Sequence, residues 1–288
     1  MAVAPARAAT FVLVALALAV PAQLRAPFPA GASMATFGTV VWGDGLTGRQ
    51  PWRAAAELGD TLRFGVSVAG IDYYDDMDNF EEREIRHAIG GGWYHSRYVT
   101  VKAAYEHFSA LGLYFEQIGR LSVGSSALRY VAFSLELQGM RAGLRGYDDE
   151  RETVVEMGAT AWVPLKYVAL SLAVEHITLE DAASAGFKAD PAVRLGVHTR
   201  RHRWGALGAV AEVVAGDERL VRFAVGEEFW VHPMVGLGAG LCTEPLTVGF
   251  GATVVWRRYG TNVSFAHHPA LGWSKGFEVD WAWGRERR

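Results

Sequence analysis

Charged side chains recur inside otherwise apolar, alternating segments, and they are the residues best placed to do chemistry. Strand geometry would turn them all toward one face, opposite their apolar neighbours. The candidate lumen-lining and ligand-contacting residues are Arg63, Lys102, Glu106, Glu136, Glu156, Glu175, Arg194, Arg222, Arg257 and Glu278. The same face also carries Glu116, Arg200, Glu212 and Asp280. Such charges can select a solute, or they can pair with one another because a buried charge needs a partner. The sequence leaves both interpretations open, and pairing is the simpler one.

Two other groups of residues suggest metal binding at first sight. An acidic run between Asp72 and Glu84 offers the oxygen ligands that calcium favours. It lacks the glycine and the terminal glutamate of an EF-hand at the required spacing, so a solvated loop explains it. The adjacent His267 and His268 would point to opposite faces of a strand. We therefore predict no metal and no cofactor.

The pattern expected of a hydrolase is weak in this chain. Nucleophilic hydrolysis needs a base held beside the nucleophile. No Gly-x-Ser-x-Gly segment occurs, and Ser67, Ser122 and Ser134 have no evident histidine partner in the sequence. The histidines are scattered along the chain. We predict that the protein is not an enzyme, and an outer-membrane lipid hydrolase is the least favoured alternative.

Alternating ribbons are the elements that must position these side chains. Between Leu246 and Arg257 the even positions are apolar, and the odd positions are small or polar except for Val255. Such ribbons continue from Thr61 onward and number about fourteen, many near the roughly 9–11 residues of a tilted membrane strand. An apolar face toward lipid and a small, polar face toward a lumen follow from this alternation. The sequence predicts an all-β, transmembrane, antiparallel up-and-down β-barrel.

Connection lengths support the same architecture. Long, polar connections are predicted at Asp72–Glu84, Leu144–Glu152 and Thr178–Asp190, and the intervening connections are tight. Only Arg120–Leu128 breaks the alternation of long and short. Bacterial outer-membrane barrels have short periplasmic turns, longer outer loops and aromatic girdles. The residues predicted to lie near strand ends and form girdles are Trp93, Tyr94, Tyr98, Trp162, Tyr167, Trp204, Trp230, Trp256, Tyr259, Trp273 and Trp283.

The chain divides into four predicted segments. Residues 1–22 have the layout of a signal peptide, with Arg7, an apolar core and a cleavage site after Ala22. Residues 23–60 form an N-terminal periplasmic or plug segment, 61–284 the barrel, and 285–288 a C-terminal tail. This layout predicts export to the bacterial outer membrane, with its lipid as a partner.

Composition excludes several other classes. The formal net charge of -3 provides no electrostatic argument for nucleic-acid binding. The single cysteine, Cys242, excludes an internal disulfide and a site built from several cysteines.

The C-terminal part resembles the PorV/PorQ group of outer-membrane proteins, which are relatives of FadL-type transporters. The segments that carry the resemblance are Gly226–Trp230, Val235–Gly240, Thr243–Pro245, Val248–Gly251 and Ser264–Gly272. These are mostly glycine and turn signatures. The resemblance implies a FadL-like barrel of fourteen strands, and it leaves open whether the protein transports a ligand or serves protein secretion.

Three classes of function therefore remain at this stage. The first is a membrane barrel that binds or passes an apolar or small ligand, or that docks exported proteins. The second is the lipid hydrolase. The third is a structural barrel or an exported, soluble, ligand-binding barrel, which membrane fractionation would separate from the first.

Overall fold

A computed structural model of the chain describes residues 63–73, 85–96, 98–110, 114–128, 131–144, 152–165, 168–181, 190–199, 205–215, 219–244, 246–269 and 272–283. The predicted signal peptide, the 23–60 segment and the 285–288 tail lie outside these residues. No helix in the described residues is long and apolar enough to cross a membrane.

Fourteen strands make up the described structure. They are β1 Arg63–Tyr73, β2 Ile85–His95, β3 Val99–Ala110, β4 Tyr114–Leu128, β5 Val131–Leu144, β6 Glu152–Pro164, β7 Val168–Asp181, β8 Ala192–Thr199, β9 Gly205–Ala215, β10 Arg219–His232, β11 Val235–Cys242, β12 Thr247–Trp256, β13 Tyr259–His268 and β14 Gly272–Trp283. Each strand pairs with the next, and β1 pairs with β14 in the register Phe64↔Trp283 to Asp72↔Lys275, which closes the sheet. The prediction of an all-β, antiparallel, up-and-down architecture is confirmed.

The side chains of the strands sort into an outer and an inner face. On β7, Leu172 is 45% exposed, whereas its neighbour Ser171 is 9% exposed. Large exposed hydrophobic residues occur on nearly every strand from β2 to β14, and the buried side chains between them are largely polar or small. The apolar exterior and polar interior follow from the alternation of side chains along each strand.

The predicted loop at Arg120–Leu128 is wrong, because these residues form the second half of β4. Exposed Leu121 and Val123 alternate there with buried Ser122, as in the other strands. Glycines and serines in this stretch gave it the composition of a loop. The true connection at 129–130 is tight, so the exception to the tight-turn rule disappears.

The ends of the barrel differ in their connections. We call the end with Arg63, Trp283 and the connections at 96–98, 129–130, 165–167, 200–204, 233–234 and 257–258 the terminal end. The opposite end, here the loop end, has the longer connections at 74–84, 145–151 and 182–191. It also has short connections at 111–113, 216–218, 243–246 and 269–271, so the predicted sorting of loops by length is only partial.

Aromatic residues are exposed at the terminal end, as a girdle requires. Tyr94, Tyr98, Trp256, Tyr259 and Trp283 are all exposed there. The girdle prediction is wrong for Trp93 and Trp230, whose side chains are buried. Both occupy inward positions of the alternation, next to exposed Tyr94 and Val231 respectively, and proximity to a strand end does not determine which face a residue occupies. The side chains of Trp162, Tyr167 and Trp204 lie outside the described part.

Gly91→Ala is expected to destabilise the barrel by about 1–3 kcal/mol through overpacking. A Cβ atom on Gly91 would overlap the backbone carbonyl oxygen of Ala103 and lie 2.8 Å from the Cα atom of Ala104 on β3. Gly90→Ala is the matched control, because a Cβ atom there meets nothing within 4 Å. Denaturant unfolding of both variants measures the difference, and equal stabilities would show that β2 and β3 are not this close.

Candidate functional site in the barrel interior

A ladder of alternating charges crosses the inner face of β7 to β10. It consists of Glu175, Arg194, Glu212 and Arg222, and is called the β7–β10 ladder below. Arg194 and Arg222 lie opposite Glu212 in the strand registers. Arg194 contacts Glu175 at 3.3 Å and Glu212 at 3.1 Å, and Arg222 lies 3.9 Å from Glu212. Each carboxylate therefore has a guanidinium neighbour, as buried charges require.

Arg222, the β10 member of this ladder, contacts the loop end of the barrel. Nε of Arg222 donates a hydrogen bond of 2.9 Å to the backbone carbonyl of Glu244, in the connection between β11 and β12. The ladder thus links four consecutive strands to a turn.

A second ladder crosses β2 to β5 and consists of His87, Glu106, Arg120 and Glu136, called the β2–β5 ladder below. Nε2 of His87 lies 3.2 Å from Oε2 of Glu106, and Nε of Arg120 lies 2.8 Å from Oε1 of Glu106. Arg120 also contacts Glu136 at 3.4 Å, and the Ser122 hydroxyl donates to Glu136 at 2.9 Å. Ion pairs therefore connect neighbouring strands within each of two arcs of the barrel wall, β2–β5 and β7–β10.

An apolar and aromatic cluster lies next to the β2–β5 ladder, on its loop-end side. The buried side chains Phe108, Tyr114, Ile118 and Met140 form it, on β3, β4 and β5. The Phe108 ring lies edge-on to His87 at 6.1 Å and to Tyr114 at 6.2 Å between ring centroids. The Tyr114 hydroxyl donates to Glu116. This inner cluster places buried apolar side chains beside polar ones, Glu116 and His87.

The structure places the predicted site residues as follows. Lys102, Glu106, Arg222 and Glu278 are buried, and Glu136, Glu175 and Arg194 are partly buried. Of these, Glu106 and Glu136 come together in one ladder, and Glu175, Arg194 and Arg222 in the other. The side chains of Arg63 and Glu156 lie outside the described part.

Arg257 was predicted to line the lumen, and this prediction is wrong. It occupies the turn between β12 and β13, is exposed, and places its guanidinium 4.8 Å from the centroid of the Trp256 ring. The alternation read along the sequence continued through this residue, but β12 ends at Trp256. A turn residue belongs to neither face of the sheet.

The interior also holds residues that the sequence did not single out. His87 and Arg120 belong to the β2–β5 ladder, and Arg120 was missed because its segment was interpreted as a loop. The Ser171 hydroxyl lies 3.1 Å from Nε2 of His198, which is wholly buried. The two residues are far apart in sequence and meet because β7 and β8 pair.

Within the described residues, no three histidine, cysteine, aspartate or glutamate side chains come together as a metal site. The acidic run after Tyr73 lies outside those residues up to Glu84, and His267 packs on Trp273 with ring centroids 4.6 Å apart.

Comparison with known proteins identifies the fold. A solved structure described as the CymD monoaromatic hydrocarbon channel matches with a TM-score of 0.67, at 6% identity, over 91% of this chain and 98% of that one. A deletion mutant of the TodX monoaromatic hydrocarbon channel matches with a TM-score of 0.56, at 8% identity, over 91% and 96%. The outer membrane protein Omp33 of Acinetobacter baumannii matches with a TM-score of 0.48, at 10% identity, over 79% and 100%. No family model and no curated protein matches the chain. The first two likenesses show that this chain shares the β-barrel fold of those two structures.

Proposed function

We propose that this protein is an outer-membrane β-barrel that binds or passes a small, largely apolar ligand through its interior. The observation that carries the proposal is a closed sheet with an apolar, exposed exterior and a largely polar interior that contains the inner cluster of Phe108, Tyr114, Ile118 and Met140. The CymD and TodX structures, whose descriptions name monoaromatic hydrocarbons, support the same ligand class.

The exterior supports a membrane location. Soluble monomers rarely expose a contiguous apolar patch larger than a few hundred Å². Here Leu195, Phe223, Val225 and Phe277 are each roughly half exposed, and they belong to a set that extends around the barrel. Lipid is the environment in which such a surface is stable. Glu227, an exposed carboxylate inside β10, is an exception for which we have no physical account.

The ligand class follows from the inner cluster. The charges of the neighbouring ladder contact one another, and Glu116, which lies opposite Phe108 on the same inner face, accepts a hydrogen bond from the Tyr114 hydroxyl. Phe108, Ile118 and Met140 offer an apolar contact surface, and Tyr114 adds a polar edge. A small aromatic or apolar molecule is therefore a better fit for this surface than a free ion is.

Membrane fractionation and ligand titration test this proposal. The protein should fractionate with outer membranes and migrate differently on a gel with and without heating. Calorimetric titration of the refolded protein with toluene should then show saturable binding. Phe108→Ala should weaken that binding by about 10- to 150-fold, since a lost apolar contact of this size costs about 1.5–3 kcal/mol. Phe277→Ala, on the exposed outer face, is the matched control.

Recovery as a soluble periplasmic protein would contradict the proposed membrane location. Equal toluene affinity in Phe108→Ala and Phe277→Ala would contradict the proposed binding site. Conductance across a planar bilayer decides between ligand classes. A low ionic conductance is expected if the interior passes a small apolar molecule, as proposed, rather than ions. A large, porin-like conductance would favour general diffusion of hydrophilic solutes instead.

The resemblance of β10–β14 to the PorV/PorQ group motivates a second proposal, in which the barrel docks exported proteins. Gly236 belongs to one of the segments that carry this resemblance. A Cβ atom added to Gly236 would lie 2.9 Å from the Trp230 ring, so this glycine accommodates the buried indole. Docking needs no ligand in the lumen. This second role would be favoured by three results together. Loss of the protein impairs protein export, Phe108→Ala supports export as well as the wild type does, and the wild type does not bind toluene.

We also propose that the protein is neither an enzyme nor a metalloprotein. The Ser171–His198 pair resembles a nucleophile and its base, but His198 is 0% exposed. Gly196 also packs closely against the pair, because a Cβ atom added to Gly196 would lie 2.6 Å from Nε2 of His198. A buried structural hydrogen bond explains the contact.

A further inference from the structure

The turn between β12 and β13 presents two adjacent arginines at the terminal end of the barrel. Trp256 pairs with Tyr259, so Arg257 and Arg258 are the two residues of the turn. Both are exposed. Arg257 has a φ of 55°, in the left-handed region where two-residue hairpins usually place glycine or asparagine. Turn chemistry alone therefore does not favour arginine here.

Each guanidinium lies over an exposed indole. The Cζ atom of Arg257 lies 4.8 Å from the centroid of the Trp256 ring, and that of Arg258 lies 3.8 Å from the Trp283 ring. A cation–π contact of this kind uses the face of the indole and leaves guanidinium N–H groups available to an acceptor. Neither arginine forms a hydrogen bond or ion pair with a residue in the described part of the chain. Two sets of donors are thus held in place without an acceptor from these residues.

The location of the pair specifies its surroundings. Trp256 is 51% exposed and Trp283 is 45% exposed, on the outer face at the ends of β12 and β14. If the barrel spans a membrane as proposed above, these indoles lie at the level of the lipid headgroups, where tryptophan is enriched. The two guanidinium groups then lie at the layer that contains the lipid phosphates.

We propose that Arg257 and Arg258, held by Trp256 and Trp283, bind the phosphate of an anionic glycerophospholipid. Guanidinium groups bind phosphate oxygens through paired, charge-assisted hydrogen bonds. The indoles contact the glycerol and upper acyl region, which a free phosphate ion does not have. The inference rests on the membrane location in the proposed function, and it adds a specific lipid site outside the lumen.

Lipid retention in nanodiscs tests the site. The full-length protein is reconstituted with phosphatidylcholine and phosphatidylglycerol, and native mass spectrometry counts the lipids that stay bound. Wild type should retain phosphatidylglycerol over phosphatidylcholine by about 25-fold, because each of the two basic residues near an anionic surface contributes about fivefold. Arg257→Gln/Arg258→Gln should remove the preference. Arg257→Lys/Arg258→Lys, which keeps the charge but loses planar stacking, should retain part of it.

Arg141→Gln is the matched control, because Arg141 is an exposed outward arginine near the loop end of β5. It should leave the preference for phosphatidylglycerol unchanged. An unchanged preference in the double glutamine variant would overturn the site. Equal displacement of bound lipid by free glycerol phosphate would also overturn it, since that would show a simple phosphate site. Failure of the wild type to insert into nanodiscs would instead overturn the membrane location, which separates the two failures.

Discussion

Arg194→Met is expected to destabilise the barrel by about 3–5 kcal/mol, the typical cost of removing one partner from a buried ion pair. Arg194 is the central cation of the β7–β10 ladder, in contact with Glu175 at 3.3 Å and Glu212 at 3.1 Å. Its loss leaves two carboxylates in the interior without their shared counter-charge. Unfolding in urea after refolding into vesicles, followed by tryptophan fluorescence, measures the change in free energy.

Two further variants identify the cause of that loss. Arg141→Met removes an exposed arginine from the outer face of β5 and should cost little. Adding Glu175→Gln to Arg194→Met should recover part of the stability, because Arg194 is the ladder guanidinium that contacts Glu175, whereas Glu212 keeps Arg222 at 3.9 Å. Equal costs for the two single variants, or a double variant no more stable than Arg194→Met, would show that the ladder is not a coupled network.

Leu172→Arg is expected to destabilise the barrel in a bilayer by about 2–4 kcal/mol, if Leu172 lies near the membrane midplane. Leu172 is in the interior of β7, points outward, and pairs with Leu195, which is even more exposed. A guanidinium at this position would replace an alkyl group in contact with hydrocarbon. The same unfolding experiment in vesicles gives the difference in free energy.

Depth and size provide the controls for this prediction. Leu165 is exposed and lies in the connection between β6 and β7 at the terminal end. Leu165→Arg should reduce the free energy of unfolding by only about 0–1 kcal/mol, because this position is near the interface. Leu172→Ala removes the leucine without adding a charge. If Leu165→Arg and Leu172→Arg cost the same, the outer face of β7 does not lie in lipid.

The structure also shows that Ser171 is a poor site for arginine. Its hydroxyl contacts His198, and Gly196 leaves no spare room beside the pair. An arginine there would be costly for reasons of packing rather than lipid contact. We therefore expect Ser171→Arg to destabilise the barrel as well, and the comparison of Leu172 with Leu165 is the one that tests contact with lipid.

Local sequence determined the faces of the strands. Alternation along a strand depends only on the backbone of that strand, since successive Cβ atoms point to opposite sides. Lys102, Glu106 and Glu278 could therefore be placed on the inner face from the sequence, and they are buried. The same reasoning failed at Arg257, where the strand ends, because strand ends are set by a turn rather than by alternation.

Only the tertiary structure determined which inner residues meet. Glu212 lies opposite both Arg194 and Arg222 because of the registers of three strands. A register depends on hydrogen bonds between strands and shifts at bulges, neither of which a single strand's sequence specifies. The irregular pairing of β6 with β7 near His176, a non-glycine residue with a φ of 60°, is such a shift.

The sequence by itself thus determined the all-β class, the two faces of most strands and the inward position of most candidate charges. It did so because these properties are local and repeat every two residues. The tertiary structure decided the closure of β1 on β14, the two charge ladders, the Ser171–His198 contact and the arginine–indole stacks. Those features join residues that are distant along the chain, and their partners follow from strand register and curvature rather than from any one segment.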